Sequence, residues 1–346
     1  MTRASVYLDH NASTPLLPEA RAAMIGMMDR IGNPSSVHAH GRALYDAIEV
    51  ARDQVARTAG AVRDQVVFTG SATEAITQAI VAGTRALGVD RIVISAAEHA
   101  AVARAAQSVG VPVTTIGLDA DGVVRLDALA DAIAAAEGAG ERLLVAVHLV
   151  NNETGVIQPL GRIEARVGPT PHYLFVDAVQ AFGKLDLDFG ARATDMMAIG
   201  AHKVGGPAGV GALLMKAHLE GVRLIPGGGQ EQGRRGGTSP AMLIAGFGAA
   251  AAAYRDYFER AGVAGLVTAL EQGVRRLAPD AVIFGANAER LGNVVDFATP
   301  GLGNAVALMA LDLAGISVSS GSACSSGKVG RSAVLKAMGV PDAIAD

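Results

Sequence analysis

Short apolar runs alternate along the chain with longer segments in which apolar residues recur at helical spacing. This alternation is typical of an α/β protein with a mainly parallel sheet. The predicted helices are Ala39–Ala59, Thr73–Leu87, Ala97–Val109 and Leu126–Ala136. The predicted strands are Val66–Phe68, Arg91–Ser95, Val113–Ile116, Leu143–His148, Tyr173–Asp177, Met196–Ile199 and Val210–Met215.

The C-terminal part has a different pattern. A glycine-dense loop, Gly227–Gly237, precedes an Ala-rich helical stretch from about Pro240 to Leu277. Three short apolar runs and one helical segment follow, which predicts a smaller α+β domain. We expect residues 15–250 to form the large domain, and residues 1–14 and 251–346 the small one. The predicted elements of this tail are strands Ala281–Phe284, Val294–Phe297 and Ser317–Ser319 and helix Asn304–Ala314.

Composition narrows the function classes. The 346 residues are half hydrophobic and carry a net charge of -4, which indicates a globular protein without the basic surface that nucleic acid requires. No run of 18 uncharged apolar residues predicts a membrane helix, and the N-terminus lacks the apolar segment of a signal peptide. With one cysteine in the chain, we expect a cytoplasmic protein without disulfides. We expect no metal site.

Polar residues follow several predicted strands, where a parallel sheet offers a cleft. Lys203 comes just after Met196–Ile199 and could form a Schiff base, although an isolated lysine in a loop is more often simply solvated. Asp177 ends another strand, where it could keep a pyridine nitrogen protonated or cap a helix. Together, a lysine and an aspartate on neighbouring strand ends are what a pyridoxal phosphate site needs.

Three further strand ends carry groups that could serve the same site. Thr69–Glu74 could form a phosphate cup at a helix N-terminus, or an ordinary helix cap. His99 could stack on a cofactor ring or be structural. The amides of Asn151-Asn152 could bind cofactor and substrate or form a turn. Five such strand ends make coincidence a poor explanation.

The only cysteine, Cys324, lies among small residues in Ser319–Gly327. A lone thiol on an accessible loop is a candidate nucleophile or sulfur carrier, whereas most free cysteines behave as small buried hydrophobes.

Taken in order, these motifs resemble those of the cysteine desulfurases, fold-type I pyridoxal phosphate enzymes of the aminotransferase class V group. The resemblance runs from Tyr7 to about Val340, nearly the whole chain. The segments that carry it are Gly32–His38, Ser71–Glu74, Glu98-His99, Val150–Gly155, Val176–Gln180, His202-Lys203, Arg235–Thr238 and Ser319–Cys324.

The resemblance implies a role for each matching residue. Lys203 is similar to the Schiff-base lysine, Asp177 to the partner of the pyridine nitrogen, and His99 to a ring-stacking histidine that could also move protons. Cys324 matches the cysteine that receives the substrate sulfur as a persulfide. The remaining implied contacts are Gln180 to the ring hydroxyl, Ala72, Thr73 and His202 to the phosphate, Thr238 to the phosphate of a second subunit, Asn152 to cofactor and substrate, and Asn33 to substrate.

The implied activity is conversion of L-cysteine to L-alanine, with pyridoxal 5'-phosphate as cofactor. The sulfur would supply iron–sulfur clusters or thiolated cofactors through a scaffold or acceptor protein, and the enzyme would be a homodimer. Two alternatives stay open: a selenocysteine lyase or other pyridoxal phosphate β-lyase, and a catalytically incomplete cofactor-binding partner in sulfur assembly.

Two departures from the family pattern carry expectations of their own. Gly200 stands where relatives usually have a serine, so we expect one phosphate contact to be missing. The chain ends at Asp346, before the strand whose arginine binds the substrate carboxylate in the family. We therefore expect weaker cysteine binding unless another cation takes its place. Three explanations stay open: a fragment of a longer chain, which we favour, a naturally short variant with altered function, or a site that another subunit completes.

Overall fold

The computed structural model describes residues 5–219, 221–320 and 331–345. Its centre is a seven-stranded sheet with the strand order β2-β8-β7-β6-β5-β3-β4. All neighbours pair in parallel except β8, which is antiparallel to both β2 and β7. The strands are β1 Val6–Tyr7, β2 Val66–Thr69, β3 Arg91–Ser95, β4 Val113–Ile116, β5 Leu143–His148, β6 Tyr173–Asp177, β7 Met196–Gly200, β8 Gly211–Met215, β9 Val282–Ile283, β10 Phe297–Ala298 and β11 Ile316–Ser317.

Helices cover both faces of this sheet, so the central strands read as continuous apolar runs rather than alternating ones. All six residues of β5 are buried. The α-helices are α1 Pro18–Met28, α2 Ala39–Ala59, α3 Ala72–Thr77, α4 Gly83–Leu87, α5 Ala100–Ser108, α6 Leu126–Ala139, α7 Leu160–Val167, α8 Ala241–Arg260, α9 Val263–Leu277, α10 Asn304–Leu313, α11 Ala333–Ala337 and α12 Asp342–Ala345.

The boundaries of these helices follow from local chemistry. The Ser71 hydroxyl accepts the Glu74 N–H and begins α3, and the His38 ring does the same for Gly41 at the start of α2. At the end of α2, Gly60 adopts the left-handed conformation (φ 61°), which favours glycine.

The sequence-based assignment was wrong at several boundaries. The helix expected from Ala97 begins at Ala100, because His99 caps it. The Ala-rich stretch is two helices, α8 and α9, since the left-handed Gly262 (φ 59°) interrupts it. A π-helical segment, Gln78–Ala82, joins α3 to α4 within the helix expected over Thr73–Leu87. The pattern missed α1 and α7.

The C-terminal part is only loosely sheet-like. Here β9 pairs with β10 in antiparallel orientation, and β11 pairs in parallel with β1 from the N-terminus. The predicted strand Ala281–Phe284 contains β9, whereas Val294–Phe297 and Ser317–Ser319 share only one residue each with β10 and β11; all three observed strands are two residues long. The division into two domains stays a prediction, and residue 250 lies inside α8. Among the described residues, no helix is long and apolar enough to cross a membrane.

Candidate active site

Lys203 lies at the carboxyl edge of the central sheet. Strand β7 passes directly into one 3-10 turn, Ala201–Lys203, which turns the lysine toward the N-terminal segment. Its Nζ donates to the backbone carbonyls of Asn11 and Ala12, the second at 2.9 Å. The side chain is buried, with the residue 8% exposed. Lys203 is therefore a buried amine held by neutral acceptors, not a solvated loop lysine.

Asn11 connects Lys203 to two other predicted residues. Its backbone carbonyl also accepts the Gln180 side-chain amide at 3.1 Å, and its own amide donates to the backbone carbonyl of Asn152 at 2.9 Å. Asn293 in turn donates to the Asn11 side-chain oxygen at 3.1 Å. Asn11 was not predicted as a site residue. Its position in the polar run Asp9-His10-Asn11, just after a short apolar segment, was the available signal.

Asp177 ends β6 two strands from β3, whose following turn carries His99. One Asp177 oxygen accepts the Val179 N–H at 3.0 Å. Burial raises the pKa of Asp177, the bond from Val179 lowers it, the charge of Glu98 raises it, and His99 and His148 lower it. His99 accepts the Ala101 N–H on Nδ1 at 3.1 Å, which leaves Nε2 as the ring atom open to other partners.

The predicted phosphate cup lies at the start of α3. The N–H groups of Ala72 and Thr73 have no intrahelical acceptor there, because they belong to the first turn. A Cβ added to Gly200 would lie 3.3 Å from the Ala72 Cβ and 3.6 Å from the His202 ring, so glycine permits this close approach. Burial, followed by the charges of Lys203 and Lys184, lowers the pKa of His202 to about 4, so its imidazole is neutral.

These groups fit pyridoxal phosphate on the chemistry of their donors and acceptors. Asp177 is a buried carboxylate with no ion pair to an arginine or lysine among the described residues, so a protonated ring nitrogen would compensate its charge. Gln180 has a buried side-chain oxygen without a hydrogen-bond partner in the described part of the chain, as expected for a group awaiting a ligand. Lys203 supplies the amine.

Two predicted residues are not brought into this cluster. Asn33 lies in an exposed turn, where its side chain accepts the Ser35 N–H at 2.9 Å. Thr238 is exposed on the loop after Arg235. Cys324 lies outside the described residues. Within the described ranges, no group of three or more His, Cys, Asp or Glu side chains is placed to hold a metal ion.

Comparison with known proteins agrees with this geometry. The family model for aminotransferase class-V matches residues 6–340. A protein of Trichormus azollae named cysteine desulfurase is 37% identical over 97% of this chain and 84% of its own length. The X-ray structure of a NifS-like protein from Rickettsia africae superposes with a TM-score of 0.88 at 31% identity, covering 99% of this chain and 91% of that one.

A further solved structure, described as SspA in complex with cysteine, has a TM-score of 0.80 at 29% identity and covers 99% of this chain and 96% of that one. The family match spans nearly the whole chain, and the fold, the strand-end cluster and the relatives all agree. The chain belongs to the aminotransferase class-V family of pyridoxal phosphate enzymes, and within it to the cysteine desulfurase family.

Proposed function

We propose that this protein is a pyridoxal phosphate-dependent cysteine desulfurase, which converts L-cysteine to L-alanine and keeps the sulfur as a persulfide on Cys324. The observation that carries the proposal is the link from Lys203 to Gln180 through the Asn11 carbonyl, beside Asp177, in a chain 37% identical to proteins named cysteine desulfurase.

Each residue of the cluster has a physical task in this proposal. Pyridoxal phosphate, when bound, supplies an electron-withdrawing ring that acidifies the Cα–H bond of an amino acid. The Asp177 carboxyl, whose pKa burial raises, would pair with the protonated ring nitrogen, and the first turn of α3 with His202 would hold the phosphate. Lys203 anchors the cofactor and then moves the Cα proton, because its amine lies buried at the carboxyl edge of the sheet, where it donates to the backbone carbonyls of Asn11 and Ala12.

Sulfur transfer is assigned to Cys324. Its thiolate attacks the substrate sulfur, so that an S–S bond forms as the substrate C–S bond breaks. The electron pair of the broken bond returns to the substrate carbon, which takes up a proton and leaves as alanine. His99 Nε2 is the ring atom available for proton movement, since Nδ1 is occupied by the Ala101 N–H.

The finer assignments rest on the same resemblance. We infer a homodimer in which Thr238 contributes to the partner's phosphate site, and a protein acceptor that takes the sulfur for iron–sulfur cluster or thio-cofactor assembly in the cytoplasm. The exposure of Thr238 in the single chain supports a role outside its own site. Asn152, tied to Asn11, and Asn33 are the proposed substrate contacts.

The test is to incubate the purified protein with pyridoxal phosphate, L-cysteine and a thiol reductant, and to measure alanine and sulfide. We expect equal amounts of both from the wild type and none from Cys324→Ala, which should still bind the cofactor. Alanine formation by Cys324→Ala at the wild-type rate would instead favour a lyase. A cofactor-loaded wild type that forms no alanine would contradict the proposal.

A further inference from the structure

A second polar cluster lies directly behind the candidate site, and the chemistry described above does not use it. It consists of Ser95, Glu98, His148 and Gln158, which come from the end of β3, the turn after it, the end of β5 and the loop before α7. Ser95, His148 and Gln158 are each at most 4% exposed, and the Glu98 side chain is 1% exposed. Such a network favours one arrangement of its members, because most of its buried polar atoms are paired within it; Glu98 Oε2 is buried without a hydrogen-bond partner among the described residues.

One oxygen of Glu98 accepts three hydrogen bonds from other members of the cluster. Glu98 Oε1 accepts the Ser95 hydroxyl at 2.5 Å, the His148 backbone N–H at 2.9 Å and the His148 Nδ1 at 2.8 Å. Two of these three bonds come from His148. The side chain of Glu98 therefore attaches the turn after β3 to the end of β5.

Gln158 fixes the orientation of the His148 ring. Its side-chain oxygen accepts the Val124 N–H at 2.9 Å, and its amide nitrogen donates to the Gly122 carbonyl at 2.9 Å. Those two backbone partners determine which end of the amide is nitrogen, and that nitrogen lies 3.3 Å from His148 Nε2. The amide thus presents a donor to Nε2, which leaves the ring proton on Nδ1, facing Glu98.

Two influences on the His148 proton oppose each other. Burial lowers the pKa of His148, but the charge and the hydrogen bond of Glu98, together with the charge of Asp177, raise it by more, which favours a second ring proton. The Gln158 amide opposes that proton on Nε2. Because the amide is held at both ends by backbone groups, we assign the neutral ring with its proton on Nδ1.

The cluster is connected to the site on two sides. His99 follows Glu98 in the chain, so the position of the Glu98 side chain fixes the backbone from which His99 projects. His148 pairs with Asp177 across the β5–β6 ladder, and Leu149 donates its N–H to the Asp177 carbonyl at 2.8 Å. A displacement of His148 would therefore also shift His99, through Glu98, and Asp177, through the β5–β6 pairing.

We propose that His148 is a positioning residue of the cofactor site, which holds Glu98 through its Nδ1–H and thereby sets His99 against Asp177. This inference rests on the proposed function, because it takes His99 and Asp177 as the residues that face the cofactor ring. It adds to that function a residue that itself touches neither cofactor nor substrate.

The experiment compares His148→Leu with His148→Asn, since the two side chains have nearly the same size and only Asn keeps a donor near the place of Nδ1. The dissociation constant of pyridoxal phosphate is measured first. We expect His148→Leu to raise this dissociation constant about tenfold, which is the size of effect expected when one hydrogen bond to a charged group, here from His148 to Glu98, is lost. His148→Asn should recover most of the loss, and the circular dichroism of the bound cofactor should change only in His148→Leu.

His172→Leu is the matched control. His172 is also a buried imidazole, but it lies just before β6 at the opposite end of the strands from His148, where its Nδ1 accepts the N–H of Leu143 in β5 at 3.2 Å. This variant should lose stability while keeping the wild-type cofactor affinity. Equal affinities in His148→Leu and His172→Leu would overturn the inference, as would a His148→Asn variant no better than His148→Leu.

Nitrogen-15 NMR of the wild type tests the tautomer without any assay of turnover. We expect a protonated Nδ1 and an unprotonated Nε2 for His148 at neutral pH, with its signals assigned by their absence from His148→Asn. A proton on Nε2 would overturn the inference. A wild type that shows the expected tautomer and affinities but forms no alanine would contradict the proposed function alone.

Discussion

The carboxyl edge of the central sheet and helix α10 of the C-terminal part differ in how firmly their residues are held. All six residues of β5 are buried, and the polar groups at its end bond to at least two other elements. By contrast, α10 buries none of its ten residues, and Leu313 is 83% exposed. Groups that must meet a cofactor to within a fraction of an ångström lie where a buried sheet fixes the backbone.

The largest effect that separates the two regions concerns Lys203. We expect Lys203→Ala to lower the rate of alanine formation by at least about a thousandfold, because one amine is assigned both to anchor the cofactor and to move the Cα proton. The measurement is the initial rate with saturating L-cysteine and pyridoxal phosphate. The covalent bond between lysine and cofactor should also disappear, as seen by mass spectrometry after borohydride reduction.

Lys216→Ala is the control for this prediction. Lys216 also donates to two backbone carbonyls, those of Phe189 and Gly190 at 2.8 and 2.9 Å, but it follows antiparallel β8 at the opposite edge of the sheet. It should keep the wild-type rate. A covalent cofactor bond that persists in Lys203→Ala would refute the assignment of that lysine.

The second prediction compares the same substitution in both regions. Leu144 in β5 is fully buried, so Leu144→Ala should lower the free energy of unfolding by about 3 kcal/mol, through lost burial and the cavity left behind. Leu313→Ala in α10 should change it by less than about 0.5 kcal/mol, because the leucine is mostly exposed already. Urea unfolding followed by circular dichroism measures both, and similar losses would show that α10 is covered in solution.

The difference between the regions also explains what the sequence could predict. Strands such as Arg91–Ser95 and Leu143–His148 were located to the residue, because a strand buried on both faces is an unbroken apolar run between polar ends. In the C-terminal part, Val294–Phe297 was expected as a strand, but only Phe297–Ala298 pairs. Short, half-exposed strands contain too few residues to show the two-residue alternation of apolar and polar side chains from which a strand is predicted.

Only those site residues that belong to polar motifs at the ends of strands could be predicted from the sequence. Lys203, Gln180 and Asn152 were expected from motifs, and they meet at Asn11. Asn11 itself contacts Lys203 and Gln180 through its backbone carbonyl. Because every residue has such a carbonyl, the residue type at position 11 did not indicate this role. His148 was missed for another reason: it is part of an apolar strand, and its partner Gln158 is ten residues away.

The last and smallest effect concerns buried charge in the C-terminal part. Asp296 is half-buried as a residue, but its Oδ2 is buried without a hydrogen-bond partner among the described residues. Burial, and then the nearby Glu153, raise the pKa of Asp296 from 3.8 to about 7. Since the folded state binds this proton more tightly than the unfolded state, the stability from Asp296 is complete below pH 3.8 and is lost as the pH rises through about 7.

Asp296→Asn should remove that loss, because the amide has nearly the same shape and no charge. We expect the variant to be more stable than the wild type above neutral pH by on the order of 2 kcal/mol, less than the full pKa difference implies because the residue is partly exposed. Near pH 4 the two should agree. Free energies of unfolding across this range measure it, with Asp312→Asn on the exposed face of α10 as the control. A wild type and an Asp296→Asn variant with the same slope of stability against pH would show that Asp296 is solvated in solution, and the C-terminal part would then be looser than its described contacts imply.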